Sequence, residues 1–169
     1  GYPTIQAAVD ASRGGDVIEA FSGVFYEGVL LSKRTNLTIR ARSWAQSNKI
    51  NTVVDAGGAG SPFSIINGYG NRILGFSLRH GTSGVSVSGT SRTNMIAHCL
   101  IYSNTSAGLE LNGAAVQRNS VVSNRIRGPG QNFGVYFTGA QTNYIRDNAI
   151  RRVSSIGVYI NSGSGNELR

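Results

Sequence analysis

The chain of 169 residues reads as an all-β protein, a right-handed, single-stranded parallel β-helix of about seven coils with a short N-terminal capping helix. Three observations lead there. Five asparagines, Asn71, Asn94, Asn119, Asn143 and Asn166, recur at intervals of 23, 25, 24 and 23 residues. An aliphatic residue stands two places after each of them: Ile73, Ile96, Val121, Ile145 and Leu168. A glycine followed by an alternating pair closes each full repeat, as in Gly108-Leu109-Glu110-Leu111 and Gly134-Val135-Tyr136-Phe137. Self-similarity at this period marks a solenoid whose equivalent positions stack into files.

The elements follow in order. Thr4 to Ser12 reads as a helix: Ile5, Ala8 and Val9 share one face, Thr4 can cap the N-terminus, and Arg13-Gly14-Gly15 ends it. It covers the open first coil, which otherwise presents unpaired backbone groups. Period two begins at Asp16-Val17-Ile18-Glu19-Ala20. Gly23-Val24-Phe25-Tyr26 reads as a turn, and Val29–Leu31, Leu37–Ile39, Val53-Val54 and Ser64–Ile66 as further strands. Arg42 to Asn51 carries Trp44 without a clear period and reads as an excursion from the coil, packed outside it. Regular rungs begin at Asn71. Each has a strand such as Asn143–Arg146, a turn at Asp147-Asn148, a strand Ala149–Arg152, a variable loop and a third strand Gly157–Asn161. Asn124 and Asn148 are assigned to the tight turn, where asparagine tolerates left-handed backbone and can bond to its neighbour in the next rung. The whole chain reads as a single β-helix domain, with a cap at 1–15, irregular first coils at 16–70 and regular repeats at 71–169. It stops at Asn166-Glu167-Leu168-Arg169, the opening of another rung. That points to a parent chain that continues, or to self-association through the open C-terminal coil.

Composition narrows the function classes. Net charge is +8, from 14 Arg and 2 Lys against 8 acids, so the surface field attracts polyanions. No basic run or aromatic–basic motif singles out nucleic acid, and no apolar run is long enough to span a membrane. The single cysteine, Cys99, excludes an internal disulfide and a thiolate metal cluster. It reads as a small buried residue of the stack.

The entry Tyr2-Pro3-Thr4-Ile5-Gln6-Ala7-Ala8-Val9, the following Gly15-Asp16-Val17-Ile18, and the pattern Asn143-Tyr144-Ile145-Arg146-Asp147-Asn148-Ala149-Ile150 resemble the right-handed parallel β-helix superfamily, the pectate-lyase-like proteins. The resemblance covers essentially the whole chain. It implies an extracellular or periplasmic protein that binds polysaccharide, since members include pectate and alginate lyases, polygalacturonases, epimerases, tailspikes, adhesins and a periplasmic protein of copper-site maturation. The lytic members commonly hold calcium with clustered acids. Asp10, Asp16, Asp55 and Asp147 are far apart in this sequence, and no Asp-x-Asp pair occurs. No cofactor or metal is therefore assigned.

Surface files supply the candidate site. Arg79, Tyr102, Arg127 and Arg151 stand eight residues after the marker asparagines, and with Arg125 and Arg152 form a basic stripe. Such a stripe is either a track for carboxylated sugars or a row of solvated arginines. On the third strand the outward residues are Ser86, Glu110, Tyr136 and Tyr159, then Ser88, Asn112, Thr138 and Asn161. We assign Arg127, Arg152, Glu110 and Asp147 as candidate catalytic residues. Asp147 serves as a general base beside Arg146, and the arginines neutralise a carboxylate. Tyr136, Tyr159, Asn112, Asn161 and Arg151 are candidate substrate contacts. His80 and His98 fall on different faces and are read as structural. Two functions fit: a secreted β-helix that binds, and as a lyase or hydrolase cleaves, an acidic polysaccharide, or a non-catalytic module of an adhesin, tailspike or filament.

Overall fold

The computed structural model describes residues 1–45 and 51–169. The first coil carries β1 (Val17–Ala20), β2 (Gly23–Tyr26) and β3 (Val29–Ser32), and the second β4 (Thr38–Ala41), β5 (Thr52–Asp55) and β6 (Phe63–Ile66). Then come β7 (Arg72–Leu74), β8 (Ser77–Arg79), β9 (Ser83–Ser88), β10 (Met95–Ala97), β11 (Leu100–Tyr102) and β12 (Ala107–Asn112). The last are β13 (Ser120–Val122), β14 (Arg125–Arg127), β15 (Phe133–Thr138), β16 (Tyr144–Arg146), β17 (Ala149–Arg151), β18 (Ile156–Ser162) and β19 (Glu167–Leu168). Every third strand joins the same sheet. The first sheet runs β1-β4-β7-β10-β13-β16-β19, and the second and third have six strands each. The chain thus makes six complete turns and opens a seventh. Two expectations are refined. Gly23–Tyr26 is a strand rather than a turn, because all four of its residues pair in parallel with Thr52–Asp55. Of the expected excursion at Arg42–Asn51, residues 46–50 lie outside the described residues, while Trp44 packs against the core.

The interior is a set of in-register files. Ile18, Ile39, Ile73, Ile96, Val121 and Ile145 pair successively along the first sheet, and from Ile39 onward all are buried. Val54, Leu78, Ile101 and Ile126 form the second file, and Leu31, Ile65, Val87, Leu111 and Phe137 the third. Burying each such side chain is worth about 1.5–3 kcal/mol before conformational entropy is subtracted. A strand open on both faces could not be anchored this way. Here the alternation of the third strands, inward Val or Leu and outward polar residue, fixes the register.

The corners are held by asparagine ladders. The backbone N–H and Nδ2 of Asn71 both donate to Asn94 Oδ1 at 2.9 and 3.0 Å, and Asn94, Asn119 and Asn143 repeat the pattern onto the next marker. These side chains are buried, so each satisfies a backbone group that water cannot reach. A second ladder runs Cys99 N–H to Asn124 Oδ1 and Asn124 to Asn148 Oδ1. The left-handed residues at that corner are His98, Ser123 and Asp147, with φ of 56°, 55° and 56°, not the asparagines. Asn124 and Asn148 follow the bend and turn their amides into the stack, where inter-rung bonding and not backbone freedom selects them. Cys99 occupies the same place and is fully buried, its thiol pointing to Ala97 O at 3.4 Å, and burial pushes its pKa up to about 11.

The first coil is closed by α1 (Ile5–Ala11), N-capped by Thr4 Oγ1 on Ala7 N–H at 3.0 Å. Glu27 accepts from the N–H groups of Ile5 and Gln6, placing a carboxylate at the positive end of the helix. Gln6 in turn accepts from Leu30 N–H at 2.6 Å and donates to Leu30 O at 3.3 Å. Its side chain thereby blocks the free edge of β3.

Candidate functional site

Outward residues of the second sheet form one continuous file: Tyr26, Asp55 and Arg79 pair in register, then Tyr102, Arg127 and Arg151. At its lower end Arg125, Arg127, Arg151 and Arg152 line a cleft of about 450 Å³ with Leu100 and Ala149. Three of the predicted site residues, Arg127, Arg151 and Arg152, are therefore brought together. Arg127 and Arg151 are direct cross-strand neighbours on one face, an arrangement of like charges that opposes pairing. Among the described residues none of Arg127, Arg151 and Arg152 is in an ion pair. Arg152 is in left-handed backbone (φ 56°), at the corner that follows β17.

The remaining predicted residues stand elsewhere. Glu110, Tyr136 and Tyr159 pair in register on the third sheet. Tyr136 and Tyr159 stack at 5.6 Å between ring centroids, with 9° between planes. Phe133, missed in the sequence, completes the stack at 5.0 and 5.3 Å. Strict alternation would turn Phe133 inward with Val135. Its ring nevertheless lies against the outward tyrosines, and Ser83, at the equivalent place two rungs earlier, donates to Glu110 Oε2 at 3.0 Å. Asn112 pairs with Ser88 at the end of that face. Asn161 leaves its expected file: a bulge pairs Thr138 with Ser162 instead, and the extra residue is Asn161. Asp147 sits at the corner between the first and second sheets, exposed, its N–H donating to Arg169 O at 3.2 Å. The nine residues thus divide between two sheets and two corners.

A second cluster went unseen in the sequence. Asp55 is only 4% exposed. Its Oδ2 lies 2.9 Å from both Arg79 Nε and His80 Nδ1, and its Oδ1 accepts from Gly57 N–H at 3.0 Å. Arg79 Nη1 donates to the Tyr102 hydroxyl at 3.4 Å, and the Arg127 guanidinium lies 5.5 Å from the centre of the Tyr102 ring. The signal was present: Arg79 and His80 stand 24 and 25 residues after Asp55, one winding of the helix.

Burial pushes the Asp55 carboxyl up, but the hydrogen bonds from Gly57, His80 and Arg79, with the charge of His80, outweigh it and hold the pKa below the ordinary 3.8. A depressed folded-state value contributes stability that is complete above the unfolded value and lost as pH falls through the folded one. The stability difference between wild type and Asp55→Asn, followed by urea unfolding, is expected to be constant above about pH 5 and to shrink below pH 4. A difference that stays flat down to pH 2 contradicts this account. The Arg79 guanidinium is shifted upward, chiefly by its bond to Tyr102 and, against the cost of burial, by Asp55.

A sequence model of the family described as "Periplasmic copper-binding protein (NosD)" matches residues 11–169. No curated protein matches the chain. Among solved structures, an alginate lyase from Paenibacillus sp. str. FPU-7 superposes with a TM-score of 0.73 at 18% identity, over 96% of this chain and 60% of that one. The chain therefore spans under two thirds of that enzyme's length, and at this identity the likeness is one of fold.

Proposed function

The chain belongs to the NosD family, and on that premise we propose that it is a β-helix protein that acts outside the cytoplasm and binds an acidic polysaccharide in the arginine cleft of the second sheet. The family's description places its members in the periplasm. Among the described residues no helix is long and apolar enough to cross a membrane. The observation that carries the proposal is the cross-strand pair Arg127–Arg151, with Arg152 beside it and, among the described residues, no acid in an ion pair with any of the three. Its repulsion is relieved when a carboxylated polymer lies along the file, since each guanidinium can form a bidentate pair with a carboxylate. The alginate lyase that shares the fold acts on a polyuronate, which is the ligand class the cleft chemistry selects. The Phe133–Tyr136–Tyr159 stack offers a second, flat surface for sugar rings.

Copper, the ligand that the family's description names, does not fit the residues present. Among the described residues no three of His, Cys, Asp and Glu converge on one point. Copper(I) selects thiolate and thioether ligands. The Cys99 thiol is buried and held protonated, and the Met95 sulfur faces Arg72 Nη2 at 3.8 Å.

Calorimetric titration with polymannuronate and polygalacturonate tests the reading. Charge-assisted hydrogen bonds are worth about 1.5–3 kcal/mol each, so Arg127→Ala and Arg151→Ala are each expected to weaken binding by about tenfold or more. Added salt weakens it further. Equal affinity for a neutral polymer such as dextran, or unchanged affinity in the double variant, overturns it.

A further inference from the structure

Resting on the cleft as a polyuronate site, we propose that His80 and Tyr102 are the catalytic base and acid of a β-elimination on that polymer, with Asp55 and Arg79 as positioning residues. The cluster adjoins the cleft through Arg127, which both lines it and lies against the Tyr102 ring. An ionised carboxylate only accepts hydrogen bonds, so the contact to Asp55 fixes the hydrogen of His80 on Nδ1. The lone pair is then on Nε2, on the far side of a ring that is 48% exposed. Tyr102 receives a hydrogen bond from Arg79 at its oxygen, which leaves its own proton free to donate. A half-exposed imidazole on a buried acid stands at the corner after Arg79, one rung from a phenol held by arginine, and that phenol shares its file with the guanidiniums that would neutralise a uronate.

The step balances. His80 Nε2 takes the proton from the carbon bearing the carboxylate, whose acidity rises when an arginine neutralises that group. The electron pair left behind forms a double bond to the neighbouring carbon, and the bond from that carbon to the glycosidic oxygen breaks. The departing oxygen takes the Tyr102 proton. His80 then releases its proton to solvent as Tyr102 is reprotonated, with no oxidant or co-reactant consumed.

The test uses the 169-residue chain with polymannuronate and polygalacturonate, following the ultraviolet absorbance of the unsaturated product and, separately, binding by calorimetry. His80→Asn keeps a residue that tolerates left-handed backbone, and Tyr102→Phe keeps the ring against Arg127. Each is expected to lower kcat by about 100- to 10,000-fold, the contribution of a positioned acid or base, with binding altered less than about threefold. Asp55→Asn is expected to lower kcat with KM unchanged and to displace the acid limb of the pH–rate profile, which a merely structural role would not do. A wild type that binds polyuronate without forming unsaturated product overturns the elimination while leaving the cleft intact as a binding site. Full turnover in both His80→Asn and Tyr102→Phe also overturns it. A wild type that binds no polyuronate defeats the reading of the cleft and, with it, this one.

Discussion

Replacing Asn119 by alanine is expected to destabilise the protein by about 3–5 kcal/mol, a large share of the 5–15 kcal/mol that holds a typical domain together. Asn119 is fully buried and works in three directions. Its Oδ1 accepts from the N–H and Nδ2 of Asn94 at 3.0 and 2.9 Å. Its Nδ2 donates to Asn143 Oδ1 at 3.0 Å and to Ser91 O at 3.2 Å. Truncation leaves the Asn94 N–H and one Asn94 amide hydrogen without an acceptor in a dry interior, each costing about 1–3 kcal/mol. The small cavity adds to this. At about 2–4 °C per kcal/mol for a chain of this size, thermal unfolding should fall by roughly 10 °C. Asn166→Ala, where the two bonds from Asn143 and one to Ala140 O at 2.8 Å depend on a side chain that is only part-buried, should cost about 1–2 kcal/mol. Equal losses at the two positions, read by calorimetry or urea unfolding, would refute the additive ladder.

Gly108→Ala is expected to destabilise by about 3 kcal/mol for a different reason. Gly108 does not need left-handed backbone. A Cβ placed there would stand 2.6 Å from the carbonyl oxygen of Gly134 in the next rung, and would press on the Ile126 side chain as well. Backbone cannot step aside as a flexible side chain can, so the overpacking cost falls at the upper end of the usual 1–3 kcal/mol. Gly157 holds the same place one rung beyond Gly134, yet a Cβ there meets only Ile150 Cγ2, at 3.7 Å. Gly157→Ala should therefore be neutral or slightly stabilising, through the smaller entropy of the unfolded chain. Parallel urea titrations decide the matter: a similar loss in both variants would mean that propensity, not close approach, conserves stability at this file.

Much of this architecture is legible from spacing because stacking turns a period into a file. Ile96, Val121 and Ile145 recur at the marker interval, and so they pair in the interior. The polar file Arg127–Arg151 follows from the same arithmetic. What escaped the sequence has local causes. Gly23–Tyr26 looks like a turn by composition, and only its neighbour on β5 makes it a strand. Asn161 is displaced by a one-residue bulge, which no periodic count registers. Phe133 joins the tyrosines although its parity along the strand is that of the inward Val135. Asp55 and His80 are distant along the chain, yet contact in this fold is governed by position modulo one winding.

The in-register stacking of β11, β14 and β17 also bears on how such a protein can change. Each coil touches only its two neighbours, and each marker asparagine offers the preceding one the same acceptor that it finds on the next. Copying one whole winding between Arg127 and Arg151 would preserve every interior file and every ladder bond. It would lengthen the charged row by about 4.8 Å. Reach along a polymer is thus a quantity that genetic duplication can set in discrete increments, without reinventing the scaffold that presents it.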